Sequence, residues 1–232
     1  MEDHLSKQFD LDLENIRTRI LQMGGLVEQQ VAKAVDAFAT GDVEAMARVI
    51  DTDRDVDALE IAIDEDCTRL IARRQPTARD LRLVMAVLRI VTDLERIGDK
   101  AAKIARMSRN LYETDRLHVP RLSDVRQCGE LAVSMLRRAL DALAHMDIDT
   151  AREVIREDAA IDARFNGVLR QLITYMMEDP RTITEALDII WIAKAVERVG
   201  DHASNIAENV VYVVSGNDIR HSVEAATKSD EA

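Results

Sequence analysis

Aromatic residues make up only 3% of this 232-residue sequence, which also holds just eight glycines and three prolines. Sandwiches and barrels are built from aromatic and β-branched strands joined by Gly- and Pro-rich turns, so this shortage argues against a β-rich fold. Cysteine is nearly absent. Cys67 and Cys128 form no CxxC pair and accompany no secretory signal, which predicts two reduced, partly buried thiols. No apolar run approaches the ~20 residues needed to cross a bilayer, and the acidic start (Met1, Glu2, Asp3, His4) is unlike a signal peptide. The expected location is the cytoplasm. Positive charge is also in deficit, with 31 Lys and Arg against 43 Asp and Glu and a formal charge of −12. That charge repels a phosphate backbone and anionic lipid, disfavouring nucleic acid and allowing membrane contact only through partners; proteins or cations fit better.

What is present is 47% apolar residues with plentiful Ala, Leu, Ile, Arg, Glu and Asp, enough for a sizeable core made of long helices. The prolines mark breaks at Pro76, Pro120 and Pro180, each followed by a candidate helix cap at Thr77, Ser123 or Thr182. Thr182 and Glu185 have capping-box spacing. With a further break near Gly41-Asp42, apolar residues recurring at three and four predict helices near 10–39, 42–73, 77–112, 122–145, 148–178 and 182–214. The halves repeat. Val49-Ile50 with Asp53, Val56 and Asp57 returns 105 positions later as Val154-Ile155 with Asp158, Ile161 and Asp162, and LERIGD (94–99) returns 102 positions later as VERVGD (196–201). The expected fold is all-α, two tandem three-helix bundles related by an internal repeat: residues 1–116, residues 117–216, then a polar tail over 217–232.

Chemistry concentrates on four helix faces. In the third helix Leu81, Val84, Met85 and Leu88 lead into Thr92, Glu95, Asp99 and Lys103; in the sixth, Ile183, Ala186, Leu187 and Ile190 lead into Lys194, Glu197, Asp201, Asn205 and Glu208. The second helix carries Asp53, Asp57, Glu60 and Asp64 on one line, and the fifth carries Asp158 and Asp162. In an antiparallel hairpin, opposite residues share a constant index sum. Asp57 with Glu95 and Asp53 with Asp99 both sum to 152, and Asp162 with Glu197 and Asp158 with Asp201 both sum to 359. Each repeat is thus expected to bring four carboxylates to one level, where repulsion raises their pKa values or a cation is required. Two readings stand: solvated faces paired with Arg96, Arg198 and other arginines, or sites for a divalent or iron-type ion. Carboxylate oxygens suit Mg, Mn, Ca or Fe, and Zn completes the candidates; no organic cofactor is implied. Gly98 and Gly200, inside both Glu-x-x-Gly-Asp motifs, point to close helix packing or to a site against the backbone.

Familiar catalytic motifs are missing: no phosphate loop, GxGxxG, GxSxG or HExxH, and no Glu three residues before any of His4, His118, His145, His202 and His221. His202 reads as an exposed helix residue that could instead join a metal site.

The segments RQPTARDLRLVM (74–85), DLERIGDKAAKIA (93–105), RQLITYMMEDPRTI (170–183) and VERVGDHASNIAE (196–208) resemble the PhoU family, as do the early HLSKQFDLDLENIR and the late GNDIRH, so the likeness runs from about residue 4 to 221. The resemblance implies two three-helix bundles, usually forming a homodimer, and a non-enzymatic regulator. It further implies that this adaptor links the ATPase of a phosphate ABC transporter to a membrane histidine kinase, repressing the phosphate-starvation response and modulating uptake. It implies metal binding in some members through acidic motifs that fall here on Glu95/Asp99 and Glu197/Asp201 and, by the wider pattern, on Asp53/Asp57 and Asp158/Asp162. Lys103 stands where the second repeat has Asn205, the family's usual residue, so Lys103 is expected to neutralise the first cluster and leave the second the better site. The alternative class is a metal-dependent helical-bundle enzyme or metal store. For a dimer contact, Leu26, Val27 and Val31 of the long first helix are the expected apolar residues.

Overall fold

A computed structural model describes residues 2–74, 76–113 and 122–217. Six helices follow in order: α1 (Glu2–Thr40), α2 (Val43–Arg74), α3 (Ala78–Glu113), α4 (Leu122–His145), α5 (Ile148–Glu178) and α6 (Ile183–Ser215), with a 3-10 turn at Pro180–Thr182 before α6. No strand occurs among the described residues. The first helix begins at Glu2, well before the weak periodicity that predicted a start near residue 10. Pro120 and the expected boundary at 116/117 lie outside the described residues, as does the tail beyond 217.

Helix ends show which caps are real. Asp42 accepts the Ala45 N–H at 2.8 Å. Asp147 accepts from the N–H groups of Asp149 and Thr150 at 3.0 and 3.2 Å. Thr77 stands just before α3, its carbonyl taking the Leu81 N–H at 2.8 Å, while its hydroxyl donates to the Asp80 carboxylate at 2.8 Å instead of serving a backbone N–H. Thr182 does not cap α6 with its side chain; its hydroxyl donates back to the Asp179 carbonyl at 2.7 Å, because Asp179 has already capped the 3-10 turn by accepting from Arg181 N–H. Ser123 lies inside the first turn of α4 with its hydroxyl on Asp124. The α1–α2 turn uses Gly41 at φ 74°, and its repeat counterpart Met146 adopts φ 52°. A non-glycine residue there costs about 1 kcal/mol; Met146 is held by packing against the core.

Packing follows the repeat. Helix α2 lies against α1 and α3, α5 against α4 and α6, and the halves join through α1 with α4 and α3 with α6. One apolar cluster runs through both repeats, from Ile16 and Met23 on α1 to Val199 and Val210 on α6. Val27 and Val31 belong to that cluster and are fully buried, and Leu26 packs on it, so the residues expected at a dimer contact serve the core instead. The long α1 has a second bundle to lean on, which a single-helix pattern does not reveal. Arg137 of α4 reaches Glu28 of α1 at 2.7 Å across this seam. Both cysteines are free and wholly buried rather than partly so.

Candidate functional site

The antiparallel register inferred for each hairpin holds the acids along the α2–α3 and α5–α6 seams. In the second repeat Asp162, Glu197 and Asp201 each offer an oxygen within 4.8 Å of the other two, the one such group of three among the described residues. An ion bound at 2.0–2.6 Å by each oxygen requires spacings of this order. The Glu197 side chain is only 8% exposed; Lys194 Nζ donates to its Oε1, whereas Oε2 is buried without a hydrogen-bond partner. Asp158 stands beside the trio, its Oδ1 likewise buried and unpartnered. Arg198 donates to Asp201 Oδ2 at 3.3 Å. Burial raises the Asp158 carboxyl to about 6, with the charges of Asp201, Asp162, Glu197 and Glu208 adding to it. Burial also raises Glu197, against the Lys194 hydrogen bond, and raises Asp201, against Arg198 and Lys194. Orphaned buried acceptors and several acids held above their ordinary range fit a hard cation, which would supply the missing positive charge.

The first cluster is looser. Asp53, Glu60 and Glu95 are raised chiefly by burial: Asp99 and Asp57 add to Asp53 and Glu95, and Glu95, Asp64 and Asp57 add to Glu60. Asp57 is exposed. Gln30 of α1, 1% exposed, donates to the Val49 carbonyl at 3.2 Å and to Asp53 Oδ1 at 3.4 Å. Sequence reading missed Gln30. The signal was there, since 105 positions on, in register with the repeat, stands Met135, equally buried. An amide in a position whose twin is a thioether marks a polar task, and here it holds Asp53 while no such donor reaches Asp158.

Lys103 does not behave as expected. Its Nζ lies over the Trp191 ring, 5.2 Å from the centroid, so cation–π attraction draws it across to α6. The second cluster has basic neighbours of its own in Lys194 and Arg198. His202 is not an exposed helix histidine: its side chain is 18% exposed, and Nδ1 sits 2.9 Å from Asp93 of α3. Asn205 donates to the same carboxylate oxygen at 3.2 Å. Both side chains therefore face the other repeat. The histidines at 4, 118 and 221 lie outside the described side chains. At Gly200 a Cβ would come within 2.6 Å of Ile161 Cδ1, and at Gly98 within 3.2 Å of Val56 and 3.3 Å of Gln30 Oε1. Close helix approach explains both glycines.

Two copies of the family model described as "PhoU domain" match the chain, over residues 20–108 and 125–210. The chain belongs to the PhoU family. It is 48% identical over 221 residues, 95% of this chain and 90% of the relative, to the phosphate-specific transport system accessory protein PhoU of Serratia marcescens. To the protein of the same description from Escherichia coli K12 it is 46% identical, covering 95% and 91%. Among solved structures, PhoU from Pseudomonas aeruginosa superposes with a TM-score of 0.87 at 46% identity, over 90% of this chain and 100% of that one. The phosphate transport system regulatory protein PhoU from Streptococcus pneumoniae does so at 0.81 and 30%, over 90% and 98%. The all-α fold of two tandem PhoU repeats is the family's. No described helix of the chain is long and apolar enough to cross a membrane.

Proposed function

We propose that the chain is a cytoplasmic regulatory adaptor of phosphate uptake, without catalytic turnover, coupling the ATPase of a phosphate ABC transporter to a membrane histidine kinase. In this role it holds the phosphate-starvation response off when phosphate is plentiful and modulates uptake. The observation that carries the reading is the 48% identity, along nearly the whole length of both chains, to an accessory protein of a phosphate-specific transport system. Surface chemistry supports it: a net charge of −12 suits protein contacts rather than nucleic acid or lipid, and both thiols are buried away from any substrate. Family precedent for a homodimer belongs to the same reading, with a surface other than Val27 and Val31. The experiment is deletion of the gene with alkaline phosphatase measured at high phosphate. Constitutive activity restored to repression by the cloned chain is expected; normal repression in the deletion strain would refute the adaptor.

A second property favoured by a specific observation is binding of a divalent or iron-type ion by Asp162, Glu197 and Asp201, with Asp158 alongside. The unpartnered Glu197 Oε2 and Asp158 Oδ1 support it. A bound cation there would stabilise the α5–α6 hairpin and set the charge of the groove. The first cluster, Asp53, Asp57, Glu95 and Asp99, is the weaker candidate because its acids lie further apart.

A further inference from the structure

We propose that the outer surface of the α3–α6 seam, where the two repeats join, docks a helix of a protein partner that carries a line of carboxylates. The seam is built on matching heptads. Arg82, Arg89, Arg96 and Lys103 recur every seven residues on α3, and Trp191, Arg198, Asn205 and Tyr212 do so on α6, so each set lies along one helix face. Opposite members of the two antiparallel lines all sum to 294. Contacts confirm that register at both ends: Lys103 Nζ lies over the Trp191 ring, 5.2 Å from its centroid, and Arg82 lies over the Tyr212 ring at 5.7 Å. Between these ends Asp93 is held by His202 and Asn205 at 2.9 and 3.2 Å. This acid of the seam floor is already engaged, and the cations above it form a line about 32 Å long.

Arg96 and Arg198 decide what fits there. They are repeat counterparts, 102 positions apart, and stand at the same level on either side of the seam, so like charges face each other at the centre of the junction. Each keeps only a loose ion pair on its outer side, Arg96 with Glu95 at 3.6 Å and Arg198 with Asp201 at 3.3 Å, and the two side chains are 56% and 54% exposed. Facing like charges oppose the packing they flank, whereas a carboxylate set between them would be gripped from both sides. The chain as a whole carries a formal charge of −12, but salt limits the reach of each charge to about 8 Å. A ligand lying on the seam therefore feels the basic line. That line is narrow, since Glu95 and Asp99 border it toward α2, and Glu197 and Asp201 border it toward α5. A broad negative surface, such as a nucleic-acid duplex or an anionic bilayer, would meet those acids together with the arginines. A helix about 10 Å across meets only the arginines with its acids, provided that lysines or neutral residues lie beside them. Carboxylates seven residues apart on such a helix match the spacing of the cations. The inference rests on the adaptor reading only in requiring a protein partner.

The test is fluorescence anisotropy with the full chain. The probe is a labelled, alanine-rich synthetic helix of about 22 residues with glutamates along one heptad line and lysines beside it; the control peptide has the same composition with the glutamates scattered round the helix. Expected are saturable binding of the striped peptide, at least tenfold weaker binding of the scattered one, and at least tenfold weaker striped-peptide binding by Arg96→Gln/Arg198→Gln. The same charge change elsewhere, Arg126→Gln/Arg137→Gln on α4, should leave the affinity unchanged. All four arginines are exposed, and circular dichroism checks that the helices persist. No binding to the parent chain, equal binding of the two peptides, or equal loss in the two double variants would overturn the proposal, the last two reducing it to net charge. Loss of binding in EDTA would also overturn it, assigning the peptide to a bound metal, as would tighter binding of a single-stranded oligonucleotide, assigning the seam to a polyanion. A lower sedimentation mass for Arg96→Gln/Arg198→Gln than for the parent would overturn it too, assigning the seam to a second copy. Failure of the peptide with the deletion strain derepressed removes the docking face and leaves the adaptor; peptide binding with normal repression does the reverse.

Discussion

Asp93 of α3 and His202 of α6 meet 2.9 Å apart in a half-buried contact that ties one PhoU repeat to the other. Asn205 shares the carboxylate oxygen, and Lys103 over Trp191 and Arg82 over Tyr212 flank the pair along the same antiparallel seam. His202→Ala should lower stability by about 1 kcal/mol, roughly 2–4 °C in melting temperature for a chain of this size. Asp93→Asn, which keeps an acceptor, should cost less. Thermal melts check this; an unchanged midpoint for His202→Ala would mean that the flanking cation–π contacts hold the seam alone.

A pH dependence follows from Asp158, whose carboxyl titrates at about 6 in the folded chain against an ordinary 3.8. The folded state binds this proton more tightly than the unfolded state does. Its stabilising contribution is therefore complete below the ordinary value and is lost as pH rises through about 6. Asp158→Asn removes the charge and keeps the shape. In metal-free protein the variant should be the more stable above that pH, by on the order of 1 kcal/mol after allowing for solvent screening. The gap should close as pH falls toward the ordinary carboxylate value, and a gap that widens on acidification would contradict the account.

Metal content separates a binding site from a merely acidic face. The parent chain incubated with Mn and desalted should retain the ion, and Glu197→Ala with Asp201→Ala should lose most of it while keeping the helical spectrum. Replacement of Glu95 and Asp99 should matter less, because no three acids of the first cluster approach as closely as Asp162, Glu197 and Asp201 do. Elemental analysis gives the answer. Equal content in the parent and the Glu197/Asp201 variant would identify solvated faces, as would indifference of the melting temperature to EDTA.

Helix packing at Gly200 can be tested by compensation. Alanine there improves helix propensity by about 1 kcal/mol but drives its Cβ to 2.6 Å from Ile161 Cδ1 in a fully buried setting. Overpacking of this kind costs about 1–3 kcal/mol. Gly200→Ala should be net destabilising by roughly 1 kcal/mol, and Ile161→Val, which deletes the clashing methyl, should lessen the loss in the double variant. A double-mutant cycle with no coupling would show that the clash is not the cause.

The thiols should be inert in the native state. Burial pushes Cys67 up to about 12 and raises Cys128 as well, and neither sulfur is exposed. Alkylation by iodoacetamide at mildly alkaline pH is expected to leave both unmodified until the chain unfolds. Rapid labelling of the folded protein would contradict this burial.

Helices and their pairing within each hairpin were legible because both are local. The 3.6-residue period marks the faces, prolines and Asp-rich turns mark the breaks, and a tight antiparallel turn leaves little choice of register, so Asp162 and Glu197 could be placed opposite one another from residue numbers alone. The repeat, offset by 105 residues between the second and fifth helices and by 102 between the third and sixth, doubled that information. Boundaries were less legible: Thr182 offers a capping box, but Asp179, three residues earlier, captures the turn through Arg181 N–H.

Contacts between the halves had no such signature. Lys103 and His202 sit on helix faces whose partner is set by how two bundles pack, a matter of shape and apolar area spread over the whole core rather than of spacing along one helix. A charge beside an acid in sequence was therefore read as its neutraliser, and only the tertiary structure turned it onto Trp191. The same packing took Val27 and Val31 out of reach of any partner, brought Gln30 to Asp53 from a third helix, and left Ile183 and Leu187 exposed. Sequence alone determined which residues could be apolar or acidic together on one hairpin, because that is fixed by periodicity and a short turn. Which of those faces is closed by another helix and which stays open depends on long-range burial, where many arrangements of the same amphipathic helices compete and the best-filled core wins.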